Sequence, residues 1–209
     1  MPRLAARSRA ALSEVRRDQI LEAAIRIWLA RGFHATPVEA IAREAGLGKG
    51  TLYLYFPTKE AMLQAALERW SLLPDLEALA RTLDDVPPER AIPLVVSRLW
   101  GRLRERAPLV ALLFREISLR PGDARAFLER VLLPANRLFA AWLDRHVERG
   151  ALRPLDTFVA ARSLVGMLVM FLLTQEVFGG AALRPIPDAA IVETVSGLFL
   201  RGALPARRR

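Results

Sequence analysis

Cysteine is absent from this 209-residue chain, which excludes disulfides, thiolate metal sites and thiol-based redox sensing. Histidine occurs only at His34 and His146, and neither has sequence neighbours that suggest a triad or a metal site. No glycine-rich nucleotide loop follows a strand, so the chain does not read as an enzyme and calls for no cofactor. Long apolar runs are missing as well. The longest, from Leu164 to Leu173, has ten residues, and the uncharged window between Arg162 and Glu176 has 13. Both fall short of the roughly 20 residues that span a bilayer. No apolar run follows the N-terminal arginines, so no signal peptide is expected, and the expected location is cytoplasmic, away from membranes. Lysine is nearly absent too: of 31 basic residues, only Lys49 and Lys59 are not arginine.

What the chain does have is apolar helix-forming sequence and positive charge. Its 53% hydrophobic content suffices for one good core, or for a small unit packed against a larger one. A net charge of +9 favours an anionic partner. The charge is spread, with 11 basic and 7 acidic residues in 1–70 and 20 and 15 in 71–209. Localisation must therefore come from a motif. No segment shows convincing period-2 alternation, and no internal repeat is present, so the fold expected is all-α, with about nine helices.

Both lysines fall in residues 36–60, TPVEAIAREAGLGKGTLYLYFPTKE, which read as two short amphipathic helices joined by a glycine turn. Thr36 is expected to cap the first, with Pro37 at its first position and Glu39 closing a capping box. Gly46 stops it near Ala45, and the second helix begins near Gly48. Ile41, Ala42, Ala45, Leu47, Leu52 and Tyr55 form a miniature core. Lys49, Gly50, Thr51, Tyr53 and Leu54 are left facing outward, a set with no acidic member. Lys49 and Lys59 each sit in a first helical turn, where a cation opposes the macrodipole unless a phosphate is bound there. The alternative is that both are simply solvated. Together these features are the layout of a DNA reader.

The spacing of Ile41, Ala42, Ala45, Gly46, Leu47, Leu52 and Tyr55, followed by GKGTLYLYFPTKEAML, resembles the helix-turn-helix of TetR-type (TetR/AcrR) transcriptional regulators. The resemblance covers roughly residues 16–70, including a preceding helix whose Ile20, Ala24, Ile27 and Trp28 share a face and whose stop is Gly32. It implies a basic N-terminal arm at 1–15, a three-helix DNA-binding domain at 16–60, and an effector-binding and dimerisation domain at 61–209. It also implies that Thr36, Tyr53, Tyr55 and Lys59 hold phosphates while Lys49, Gly50, Thr51 and Leu54 approach base edges of double-stranded DNA. Gly48 stands where relatives often carry a capping serine, and here it permits close approach of backbone to phosphate. Leu54, if exposed, is suited to a thymine methyl; its alternative is packing against a neighbouring helix. The recognition helix holds no Arg, Asn or Gln, so Lys49 is its sole long donor. The arginine-rich segment before residue 18 reads either as a mobile arm for a minor groove or as a solubilising tail.

Beyond residue 58 further helices are expected at about 58–73, 88–106, 108–119, 123–149, 156–178 and 187–201, with Pro93 and Pro134 marking kinks or misplaced boundaries. The last two carry apolar residues nearly all round, with Ala160, Ala161, Ser163 and Gly166 on one, and Ala190, Thr194 and Gly197 beside Ile191, Val195, Leu198 and Phe199 on the other. Pairing with their copies gives a homodimer and hence a palindromic operator; the alternative is an intramolecular core. Trp100, Phe114, Phe139, Trp142, Met167, Met170, Phe171 and Gln175 are candidates to line a small-molecule effector cavity, with Asn136 and Glu116 as further polar groups, although such residues also make ordinary core. His34 reads as a packing or surface residue and His146 as solvated. The expected function is a ligand-responsive repressor, the alternative a constitutive or structural DNA-binding regulator without an effector.

Overall fold

The computed structural model describes the backbone of residues 2–69, 71–117, 125 and 127–205, and the side chains of these from residue 12 onward except 115–117. Among the described residues there is no strand. The helices are α1 (Pro2–Arg31), α2 (Val38–Glu44), α3 (Lys49–Tyr55), α4 (Lys59–Arg69), α5 (Leu73–Thr82), α6 (Pro88–Glu105), α7 (Ala107–Ile117), α8 (Leu133–Glu148), α9 (Thr157–Leu172) and α10 (Asp188–Ala203). They divide into one unit of Met1–Trp70 with Pro108–Pro121 and another of Ser71–Ala107 with Gly122–Arg209.

In the first unit, Ile20, Ala24 and Trp28 recur one helical turn apart on α1 and are fully buried, with Ile41 and Ala42 of α2, Leu52 of α3 and Met62 and Ala66 of α4. Phe33 meets Trp28 edge-on, ring centroids 5.1 Å apart. The two tight turns need glycine, because Gly32 and Gly46 adopt φ of 88° and 67°. Arg69 of α4 holds Asp18 of α1 with two hydrogen bonds of 2.8 and 2.9 Å, a planar fork that fixes the first and fourth helices together. The segment expected as an arm has helical backbone from Pro2, continuous with α1.

The second unit departs from the sequence expectation at Pro74. Proline there opens α5 rather than following a long fourth helix, as its fixed φ and missing N–H suit a first turn. Pro134 does likewise for α8, and the preceding residues Leu128–Leu132 form a π-turn in which Leu133 N donates to Leu128 O. Widening the turn spares the chain a proline clash inside a continuous helix. Pro93 lies inside α6. The start of the helix expected at 123 lies outside the described residues.

On α9, Ala161, Leu164, Leu168 and Leu172 are buried, and Asp156 caps its start by accepting from Val159 N at 2.9 Å. With the π-turn Leu173–Val177 the helical stretch Thr157–Val177 spans 21 residues and is apolar and long enough to cross a membrane by length and composition, which the shorter apolar run in the sequence did not suggest. Only 28% of its most apolar window is buried. Val159, Ser163, Gly166 and Met170 point away from the core. Helix α10 is divided the same way, Ile191, Val195 and Phe199 inward and Ala190, Thr194 and Leu198 outward.

Candidate nucleic-acid interface

Seven residues of α3, Lys49–Tyr55, carry most of the expected DNA surface. Leu52 is its anchor, completely buried against α2, and that one contact fixes which residues face out. Lys49, Gly50, Thr51, Tyr53 and Leu54 are exposed, Tyr53 by 40% and Leu54 by 84%. Leu54 therefore does not pack on a neighbouring helix. Gly48 is the N-cap residue at φ −74°, ψ 149°, and makes no side-chain cap. A Cβ at Gly48 would meet nothing nearer than Thr51 Oγ1 at 4.0 Å, and one at Gly50 nothing within 4 Å, so both glycines leave open surface. Tyr55 is half-buried, in keeping with its place in the small core.

Thr36 and Lys59 are placed differently from expectation. Thr36 is 0% exposed and its hydroxyl donates to Gly32 O at 2.6 Å, so it neither caps α2 nor presents its side chain to a phosphate. Pro37 is the N-cap of α2, without a side-chain bond. The turn after Gly32 brings a carbonyl within reach of the threonine, and this local bond displaces the expected cap. Lys59 Nζ donates to Phe33 O at 2.8 Å, Thr36 O at 3.1 Å and His34 O at 3.3 Å. All three of its donors are thus committed to the turn between α1 and α2, which it ties to the start of α4. Its ammonium also lies 4.7 Å from the Phe33 ring centre. Thr58, next to it, caps α4 through Ala61 N at 3.0 Å.

Glu39, expected to close a capping box, instead forms an ion pair with Lys49 across the helix pair. Lys49 Nζ lies 5.9 Å from the Tyr53 ring centre. The hydrogen bond holds the Glu39 carboxyl below its ordinary pKa and raises that of Lys49. Arg17 of α1 donates to Tyr55 O at 2.9 Å and stacks over Phe56 at 4.4 Å, closing the far end of α3.

Two family models match this chain. The first, bacterial regulatory proteins of the tetR family, matches residues 20–66, and the second, the C-terminal domain of AefR-like transcriptional repressors, matches residues 105–202. The chain belongs to the TetR family. Members of this family are transcriptional regulators that read DNA through the N-terminal helix-turn-helix. Among curated TetR-type relatives it is 25% identical over 127 residues to the uncharacterised regulator YerO of Bacillus subtilis, covering 59% of this chain and 44% of YerO. It is 28% identical over 128 residues to the repressor KstR of Rhodococcus jostii, covering 60% and 58%. The chain thus spans about half the length of these relatives. A TetR-family regulator of Mesorhizobium loti shares the fold, with a TM-score of 0.75 at 24% identity over 92% of this chain and 98% of that one.

Among the described residues, those expected to line an effector cavity are spread over the helices. Phe139 and Trp142 line a cavity with Leu76, Leu79, Ala80, Val95 and Leu138, between α5, α6 and α8. Its volume is about 10 Å³, room for roughly one water. Trp100 is buried elsewhere along α6, Met170 is exposed, Met167 and Phe171 are half-buried, and Phe114 falls in the other unit. The polar candidates are engaged structurally: Gln175 Oε1 accepts from Ile186 N at 3.1 Å, and Asn136 Nδ2 donates to Phe158 O at 3.2 Å. The Glu116 side chain lies outside the described residues. Helical spacing brought these residues forward, and helical spacing marks core and cavity alike.

His146 was expected in solvent and is 3% exposed. Its ring lies 4.3 Å from that of Trp142, and its Nε2 has no hydrogen-bond partner. Burial, then the nearby Arg149, push its pKa below the ordinary histidine value, with Asp84 opposing.

Proposed function

We propose that this regulator is a repressor that binds a palindromic operator as a dimer and is released when a small apolar molecule enters the C-terminal unit. The observation that carries the DNA reading is α3, whose exposed face holds Lys49, Gly50, Thr51, Tyr53 and Leu54 with open space around both glycines. Lys49 and Tyr53 supply polar contacts, Gly48 and Gly50 allow close approach, and Leu54 reads a thymine methyl. Tyr55 adds a phosphate contact at the end of the helix. Thr36 and Lys59 serve by shaping the turn that supports α3, and the N-terminal helical segment brings arginines to the same duplex.

Dimerisation is supported by the outward faces of α9 and α10, where Val159, Met170 and Leu198 are more than half exposed and alternate with Ser163, Gly166, Ala190 and Thr194. Small residues let two helix pairs approach closely around apolar side chains. Two copies then place two α3 helices on successive major grooves, about one duplex turn apart. The same face accounts for an apolar helix left mostly uncovered without requiring a bilayer.

Effector release is supported by the apolar lining of the α5–α6–α8 cavity and by the match to a repressor C-terminal domain. At about 10 Å³ the cavity is too small for such a molecule, so an effector would select a conformation in which α5 and α8 separate. A coupling of about 1–3 kcal/mol would weaken operator binding roughly 5- to 150-fold. The small volume equally suits the second reading, a regulator that needs no effector.

Selection of bound sites from random DNA tests the first half, with enrichment of an inverted repeat carrying a thymine that Leu54→Ala no longer selects. Absence of any enriched sequence at low salt would sink it. Titration of apolar metabolites into the protein–operator complex tests the second half, and a compound that binds the C-terminal unit without changing operator affinity would favour the constitutive regulator.

A further inference from the structure

The recognition surface carries an acidic residue that the outward face of α3 alone did not reveal. Glu39, in the first turn of α2, reaches Lys49 in the first turn of α3, and each side chain remains about half exposed, 51% and 52%. Exposed pairs of this kind contribute little to folding. A carboxylate beside a polyanion also costs binding to every DNA alike, since it cancels the one cation that α3 offers. Neither stability nor general affinity explains the pairing.

Lysine is a poor reader when left to itself, because a flexible stem ends in a point charge with no preferred direction. Here Glu39 takes one of the three ammonium donors, and the Tyr53 ring lies beside the same group at 5.9 Å. Two donors remain, held on a stem that is tethered at its tip. Gly50, one residue on, has open space where a Cβ would stand, which leaves that side of α3 clear for a base edge. Guanine presents O6 and N7 together on its major-groove edge, a pair of acceptors suited to two donors from one group.

We infer that Glu39 is a positioning residue for sequence choice: it orients the Lys49 ammonium toward a guanine edge and withholds its charge from phosphates of other sequences. This rests on the operator-binding reading above. On a cognate site the pair stays together and the two remaining donors meet guanine. On other DNA the pair is electrically neutral at its ends and gains no phosphate contact.

Glu39→Gln, Lys49→Ala and the double variant, each in the full chain, test this against the site selected by the wild-type protein and against random duplex over a range of salt. Glu39→Gln is expected to bind random DNA more tightly, with a salt dependence steeper by about one phosphate contact, and to lose about fivefold or more of its preference for the guanine-bearing site. In the Lys49→Ala background the same change should leave that preference unaltered, because the group it orients is gone. If Glu39→Gln tightens all DNA equally and keeps the wild-type preference, or if its effect persists without Lys49, the inference fails while operator binding stands. Wild-type protein that selects no sequence would overturn the operator reading itself, and this inference with it.

Discussion

Lys59 sits beside the expected DNA surface but spends its charge on three backbone carbonyls. Replacing it with methionine keeps the stem and removes all three hydrogen bonds that tie the α1–α2 turn to the start of α4. Lys59→Met is therefore expected to lower stability by about 1–3 kcal/mol in denaturant titration. A phosphate ligand would instead show as weaker DNA binding at unchanged stability. His146 gives a prediction in pH. Its folded pKa is depressed by burial, so the unfolded chain binds the extra proton and stability rises with pH. The contribution is complete above about pH 6.5, the unfolded value, and is lost as pH falls through the lowered folded one. Melting temperature should drop across that window in the wild type and more shallowly in His146→Leu. Neither residue's role was legible beforehand. A lysine at a helix start looks alike whether its partner is a phosphate or a carbonyl 23 to 26 residues back. A histidine in LDRHVERG looks solvated until the face of α8 that it shares with Trp142, one turn earlier, is seen to be buried.

Helices were easier to read than side-chain partners, because their signals are local. Gly32, Gly46, Gly150 and Gly179 all adopt the positive φ that stops a helix, and Thr58 and Asp156 cap α4 and α9 at the starts of the spans expected for them. α5 was missed because Pro74 carries two meanings, an end to one helix or the first turn of another. Residue pattern left α9 apolar nearly all round, with Ala161 among the small residues of its pairing face; the structure instead buries Ala161 with Leu164, Leu168 and Leu172. The opposite face yields a test of assembly. Gly166 has nothing within 4 Å of a built Cβ, so Gly166→Arg should leave the protomer's own fold intact. If copies meet there, two guanidinium groups must be buried together, and sedimentation should show the dimer giving way to monomer at micromolar protein. A variant that sediments as wild type would place the dimer interface elsewhere.

For the molecule as a whole, the small cavity between α5, α6 and α8 sets the terms for an effector that binds there. Binding must oppose the packing of Leu76, Phe139 and Trp142, and the measured affinity is reduced by the fraction of protein already open. Val95→Ala enlarges this space. It is expected to cost about 2 kcal/mol of stability and to tighten binding of a small aromatic probe, read as a larger rise in melting temperature per unit of probe. An unchanged response would mean that the cavity is plain core. Of the aromatic candidates, Phe139 and Trp142 line this cavity and Trp100 lies elsewhere on α6, since aromatic periodicity reports a helix face and says nothing of which faces enclose a void. The helix-turn-helix suffered less from this, because Gly46 and Leu52 allow its two helices one arrangement.

The near-exclusion of lysine has a practical side. Side-chain amines occur at two positions in the chain, Lys49 at the tip of the reading surface and Lys59 shielded by three carbonyls. An acylating reagent thus meets an exposed Lys49 and a half-buried Lys59 whose donors are all engaged, and modifying Lys49 erases the one charge on α3. Such labelling would act as a one-residue footprint, read by peptide mass and slowed whenever operator DNA occupies the groove-facing helix.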